Sequence, residues 1–95
     1  METKCKLRLL SSAQRELEQI VLVYSELAGP DSARGIADQI YAAMEKLITH
    51  PHAGIECKDK RLAEEGYRML ICENYLCFYR QVEDTIFVRN CFRIS

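Results

Sequence analysis

Residues 4 to 10 alternate, with Lys4, Lys6 and Arg8 set against Cys5, Leu7 and Leu9. This period of two marks a half-buried strand. Ser11 followed by Gln14 fits a capping box, and Ala13, Leu17, Ile20, Val21, Tyr24, Leu27 and Ala28 then recur at helical spacing. A first helix is predicted to about Ala28. Gly29 breaks it, and Pro30 suits the first position of a second helix, with Asp31 favourable in its opening turn. Ile36, Ile40, Ala43, Met44 and Leu47 form the buried stripe of this second helix, which stops before Pro51. So short a link forces an antiparallel hairpin, and the joint apolar face of the two helices needs a sheet to cover it.

Residues 51 to 66 contain Pro51, Gly54, Gly66 and the charged run Lys58-Asp59-Lys60-Arg61, without clear periodicity, and read as a long exposed connection. From Tyr67 onward β-branched and aromatic residues dominate. Glu73-Asn74 and Glu83-Asp84 are turn candidates that divide this stretch into a three-stranded antiparallel meander. If both turns are two-residue loops, one face carries Arg68, Leu70, Cys72, Tyr75, Cys77, Tyr79, Ile86, Val88 and Asn90. The other then carries Tyr67, Met69, Ile71, Leu76, Phe78, Arg80, Phe87, Arg89, Cys91 and Arg93; a one-residue change in either turn would exchange the sets. The fold class is α+β, in the order β-α-α-β-β-β, expected as a single domain over residues 1 to 95.

Composition narrows the chemistry. At 95 residues, 48% apolar and 28% charged, the chain has the make-up of one small folded domain. Apolar runs such as Ile20-Val21-Leu22-Val23-Tyr24 fall far short of the roughly 20 residues that cross a bilayer. The start of the chain carries no visible secretion signal, so the cytoplasm is the expected location and no membrane association is expected. A net charge of -1 and a pI near 6.1 argue against binding nucleic acid through the overall field, because such domains usually exceed pI ~9. Cys5, Cys57, Cys72, Cys77 and Cys91 are odd in number and contain no C-x-x-C pair. They read as small hydrophobes rather than a disulfide framework or zinc site. His50 and His52 flank a proline at a helix end, with spacing to Cys57 that matches no zinc pattern, so no metal or cofactor is expected.

Arg68, Arg80, Arg89 and Arg93 on the meander are the most informative residues, since an unpaired guanidinium is rarely buried. One reading is an anion-binding surface, with Lys58, Lys60 and Arg61 in the adjoining connection adding charge. The other is protection of sheet edges and pairing with the acid-rich helices. No residue set forms a nucleophile triad, a phosphate-binding glycine loop or a carboxylate pair.

The element order, together with Gly66-Tyr67-Arg68 and Asn74-Tyr75-Leu76-Cys77-Phe78-Tyr79-Arg80, resembles the RelE/ParE superfamily of bacterial toxins from type II toxin–antitoxin modules, also called plasmid stabilisation proteins. Ala13, Leu17 and Ile20, the Leu47-x-x-x-Pro51-x-x-Gly54 helix exit, Lys60-Arg61-Leu62, and Thr85-Ile86-Phe87-Val88-Arg89 extend the resemblance over nearly the whole chain. It implies a growth-inhibiting toxin neutralised by a cognate antitoxin, the complex repressing its own operon, so that operator DNA is met only through the antitoxin. RelE-like members cut messenger RNA on the ribosome, whereas ParE-like members inhibit DNA gyrase. By resemblance, Arg68, Lys58, Lys60, Arg61, Arg89 and Arg93 become the target-contacting residues. For a ribonuclease the acting set would be Arg68, Lys60, Arg61 and Arg93. Many relatives carry a basic-aromatic tail where this chain reads Asn90-Cys91-Phe92-Arg93-Ile94-Ser95, and the Tyr or His that cleaving members use as acid or base is absent. ParE-like character is therefore favoured. A messenger ribonuclease, or a non-toxic subunit kept for operon control, are the alternatives.

Overall fold

The computed structural model describes residues 5–94; Lys4 of the predicted first strand and Ser95 of the quoted tail lie outside them. Strand β1 (Lys6–Leu9) leads directly into helix α1 (Ser11–Ala28), and helix α2 (Pro30–Thr49) returns antiparallel to it. Gly29 makes the corner at φ 93°, a left-handed conformation that a side chain disfavours, with Pro30 at the first position of α2 as its fixed φ allows. The connection after α2 holds structure that periodicity does not reveal: a two-residue strand β2 (Ile55–Glu56) and a single-turn helix α3 (Lys60–Glu64). Asp59 caps α3, its Oδ1 accepting from the N–H groups of Arg61 at 2.9 Å and Leu62 at 3.3 Å. The meander follows as β3 (Arg68–Cys72), β4 (Tyr75–Val82) and β5 (Thr85–Arg93). Both predicted two-residue turns are present, with Glu73 and Glu83 at φ 55° and 57°.

The five strands form one sheet in the order β1-β5-β4-β3-β2, antiparallel except for the parallel β1/β5 pair. The hairpin covers one face. Ala13 and Leu17 of α1 and Ala33, Ile36, Ile40, Met44 and Leu47 of α2 are buried there with Tyr75, Cys77, Tyr79, Ile86, Val88 and Cys91 of the sheet. The predicted stripe of α1 holds only in part: Leu27 is 73% exposed and Ala28 is also exposed. The capping box is not formed either. Leu10, not Ser11, occupies the cap position, and it makes no side-chain bond.

The expected face assignment of the meander is correct up to Val88 and then fails, for one reason. A β-bulge interrupts the β4/β5 ladder: Tyr79 pairs with Val88, but Phe78 pairs with Asn90, leaving Arg89 unpaired between them. Alternation restarts one residue late. Cys91 rather than Asn90 enters the core, and Arg93, opposite Tyr75, follows it to the helix side. All five cysteines are free, as small hydrophobes would be, and Cys91 Sγ lies 3.0 Å from its cross-strand partner Cys77 Sγ. That contact and burial push the Cys91 thiol pKa strongly upward.

Tyr79, fully buried, joins the sheet to the segment after α2. Its hydroxyl donates to Pro51 O and accepts from Gly54 N–H, both at 2.9 Å. Gly54 is required by contact: a Cβ there would lie 2.5 Å from that hydroxyl and 2.7 Å from Met69 O.

Candidate functional site

The sheet places the expected site residues in separate locations. Arg68 and Arg93 share the helix side, but their β4 partners, Tyr79 and Tyr75, are four residues apart, a separation of roughly 13 Å along a strand. Arg68 is committed to the fold. Its Nε and Nη2 donate to Gly54 O at 3.2 and 2.9 Å, and Nη2 also reaches His52 O at 3.3 Å, bracketing the 52–54 segment against β3. Lys58, Lys60 and Arg61 are exposed on and before α3. Burial, then the Asp59 carboxylate, raise the thiol pKa of neighbouring Cys57, with Arg68 opposing.

Arg89 belongs to a different constellation, one that includes two residues absent from the expected set. Tyr67 immediately precedes β3 and is buried to 8% exposure on the face away from the long helices. The guanidinium carbons of Arg80 and Arg89 lie 5.1 and 5.4 Å from its ring centroid, within cation–π range. The β3/β4 register that sets Arg68 opposite Tyr79 puts Tyr67 beside Arg80 on this face. Around this pair the outer face is aromatic, with Phe87 beside Arg80 and Arg89, and Phe78 and Phe92 in tilted contact at 5.6 Å between centroids. The result is an arginine platform: two cations and a wall of rings on the sheet face that the two long helices leave open, with Leu62 of α3 and Leu10 beside it, suited to a carboxylate- or phosphate-bearing surface. The sequence did place Tyr67, Arg80 and Arg89 on one face. Their meeting on one ring required the register.

On the helix side, α1 and the end of the sheet enclose an apolar groove of about 280 Å³. Ile20, Val23, Tyr24 and Leu27 form one wall and Tyr75 and Cys91 the other, with Glu16 and Arg93 beside them and Phe92, on the open edge of β5, bordering both this groove and the outer face. Val23, Leu27 and Phe92 are exposed, so this is an unpartnered hydrophobic surface. Beside the Arg68 bracket, a more polar cleft of about 280 Å³ carries His52, Glu56 and Gln81. Among the described residues no group of three or more His, Cys, Asp or Glu side chains is arranged to hold a metal ion. No helix among them is long and apolar enough to cross a membrane.

Solved structures share this architecture, among them two from toxin–antitoxin systems. A chain of the chromosomal ParDE toxin–antitoxin system from P. aeruginosa superposes with a TM-score of 0.81 at 20% identity, covering 99% of this chain and 100% of that one. A chain of the RelBE2 toxin–antitoxin complex from Mycobacterium tuberculosis gives 0.66 at 15% identity, covering 100% and 98%. At these identities the likeness is one of fold. No curated protein matches the sequence. Family assignment rests instead on the sequence model for the ParE toxin of type II toxin–antitoxin systems, parDE, which matches residues 7–90; the chain belongs to the ParE toxin family.

Proposed function

We propose that this protein is a growth-inhibiting toxin directed at DNA gyrase, and that a cognate antitoxin neutralises it and carries the complex to operator DNA. The arginine platform is the target-contacting surface. The observation that carries this reading is the pair of guanidiniums, Arg80 and Arg89, on the ring of Tyr67, on the sheet face that the two long helices leave open. Such a surface binds charge but supplies no poised proton donor. The one phenol at its centre lies buried beneath the two cations, and proton transfer needs a group within hydrogen-bond reach of the reacting atoms. The apolar groove supports the antitoxin half of the reading, being shaped for the apolar stripe of a helix, with Arg93 at its rim to meet an acidic residue. Arg68, Lys58, Lys60 and Arg61 are supporting residues here, Arg68 through the fold.

A ribosome-dependent messenger ribonuclease is the second reading, favoured by the polar cleft that sets His52 and Glu56 beside Arg68. Induced expression without antitoxin separates the two. Gyrase inhibition predicts growth arrest with lost supercoiling, abolished by the Arg80→Ala/Arg89→Ala double variant and indifferent to His52→Ala. Translation collapsing first, with sensitivity to His52→Ala, would instead establish the nuclease. No arrest from the folded wild type would leave a binding subunit acting in operon control.

A further inference from the structure

We propose that Glu16 and Ser12 are positioning residues for Arg89, holding from the helix side of the sheet the bulge that presents this arginine on the opposite side. The inference deepens the toxin reading, on which it rests for what the platform does but not for how the platform is built.

The need arises from strand lengths. β1 pairs with β5 only as far as Leu9 opposite Val88. Beyond Val88, β5 has no strand on that side, and its backbone groups require other partners. Helix α1 and the residue before it supply them. Leu10 N–H donates to Val88 O at 2.9 Å. Ser12 Oγ donates to Arg89 O at 2.6 Å. Glu16 Oε1 accepts from Cys91 N–H at 3.1 Å and from Asn90 Nδ2 at 3.2 Å. Ser12 and Glu16 are four residues apart, hence on one face of the helix, and their contacts bracket the bulge from Arg89 to Cys91.

The bracketing has a consequence for Arg89. In an unbroken ladder Arg89 would pair with Phe78; the bulge removes it from the ladder and sets Asn90 there instead. Freed from a cross-strand partner, Arg89 reaches the Tyr67 ring that Arg80 already occupies. Arg80 depends on β4 alone, within the regular part of the ladder. Loss of the bracket therefore acts on one arginine of the pair and spares the other.

The test is the set of arginine Nε–Hε resonances in the full-length protein. Stacking on a tyrosine displaces both the Arg80 and Arg89 signals from the free-arginine position. Glu16→Ala is expected to return the Arg89 signal toward that position while Arg80 keeps its shift. Glu16→Gln, whose Oε1 accepts the same bonds, is expected to hold both. The concentration of Glu16→Ala needed to arrest growth should rise roughly tenfold, the effect of losing a charge-assisted hydrogen bond. If Glu16→Ala does not fold, Ser12→Ala is the variant, again moving Arg89 alone. An Arg89 signal unshifted in the wild type, unmoved in both alanine variants, or moving only together with Arg80, would overturn the proposal. A wild type that arrests nothing would refute the toxin reading, while the resonances would still decide the positioning role.

Discussion

Replacing Tyr79 by Phe removes one oxygen from a ring that is 0% exposed and leaves the packing volume nearly unchanged. Two hydrogen bonds disappear, those to Pro51 O and from Gly54 N–H. Gly54 is buried, so its amide is left without a partner, at a cost of about 1–3 kcal/mol. Pro51 is half-buried, and water can replace its lost donor at a smaller penalty. The sum is about 2–3 kcal/mol. For a domain of this size that corresponds to a fall in melting temperature of about 10–20 °C, read by far-UV circular dichroism. Hydrogen exchange supplies a local check, because the Gly54 amide should lose its protection before the amides of β4. Gly54→Ala should remain destabilising in the Phe background, since its Cβ would still press on Met69 O at 2.7 Å. A melting temperature lowered by less than about 4 °C would show that the hydroxyl bridge does not hold the 51–54 segment to the sheet, and would refute the reasoning.

The other predictions are more local. Arg68→Lys keeps the charge but loses the fork on Gly54 O, so thermal unfolding should show a loss of about 1–2 kcal/mol whatever happens to activity. Glu83→Gly relieves a side chain held at φ 57° and should raise the melting temperature by a few degrees, on the order of 1 kcal/mol. Leu27→Lys, at a position 73% exposed, should leave stability within about 0.5 kcal/mol but weaken capture of the antitoxin in a pull-down. The Cys91 thiol, raised by its Cys77 contact and burial, stays protonated in the fold while the unfolded thiol ionises near its ordinary value. Its contribution is fully present below that value and is lost as pH rises above it. Chemical denaturation should therefore show stability falling above about pH 9, by about 1.4 kcal/mol per pH unit from this group, with a shallower fall in Cys91→Ala.

Much of the fold was legible because long elements carry periodic signals. The two helices are bounded by Gly29, Pro30 and Pro51, and the two-residue turns at Glu73-Asn74 and Glu83-Asp84 fixed which meander residues face the core as far as Val88. What escaped is what lacks a period. β2 has two residues and α3 five, too few for alternation or a stripe to register. The bulge at Arg89 inserts one residue into an otherwise regular strand, and the side chains that support it, Ser12 and Glu16, are 77 and 75 positions away from their partners. The local signal there is Ser11 with Gln14, which reads as a cap; nothing near Ser12 in the sequence points to a partner in β5. The candidate site divides similarly. The strand pattern brings Arg80 and Arg89 to one face with Tyr67, whereas the commitment of Arg68 to the carbonyls of Gly54 and His52 depends on a tertiary approach that charge patterning does not encode.

Glu16 sits at the rim of the groove as well as behind the bulge, and this double position bears on how such a protein could be silenced. The groove and the arginine platform occupy opposite sides of a single sheet and share Phe92 at its edge, so a short segment seated in the groove leaves the arginines open to solvent. With the platform as the target-contacting surface, as proposed, a helix-side ligand would not compete with the target for space. To disarm the arginines it would have to draw the carboxylate away from Asn90 and Cys91, loosening the far face through one layer of strands, or carry enough bulk past the sheet edge to cover them. The first route would leave the outer face free to diverge while the partner's contacts stay constant, with Glu16 coupling the two sides.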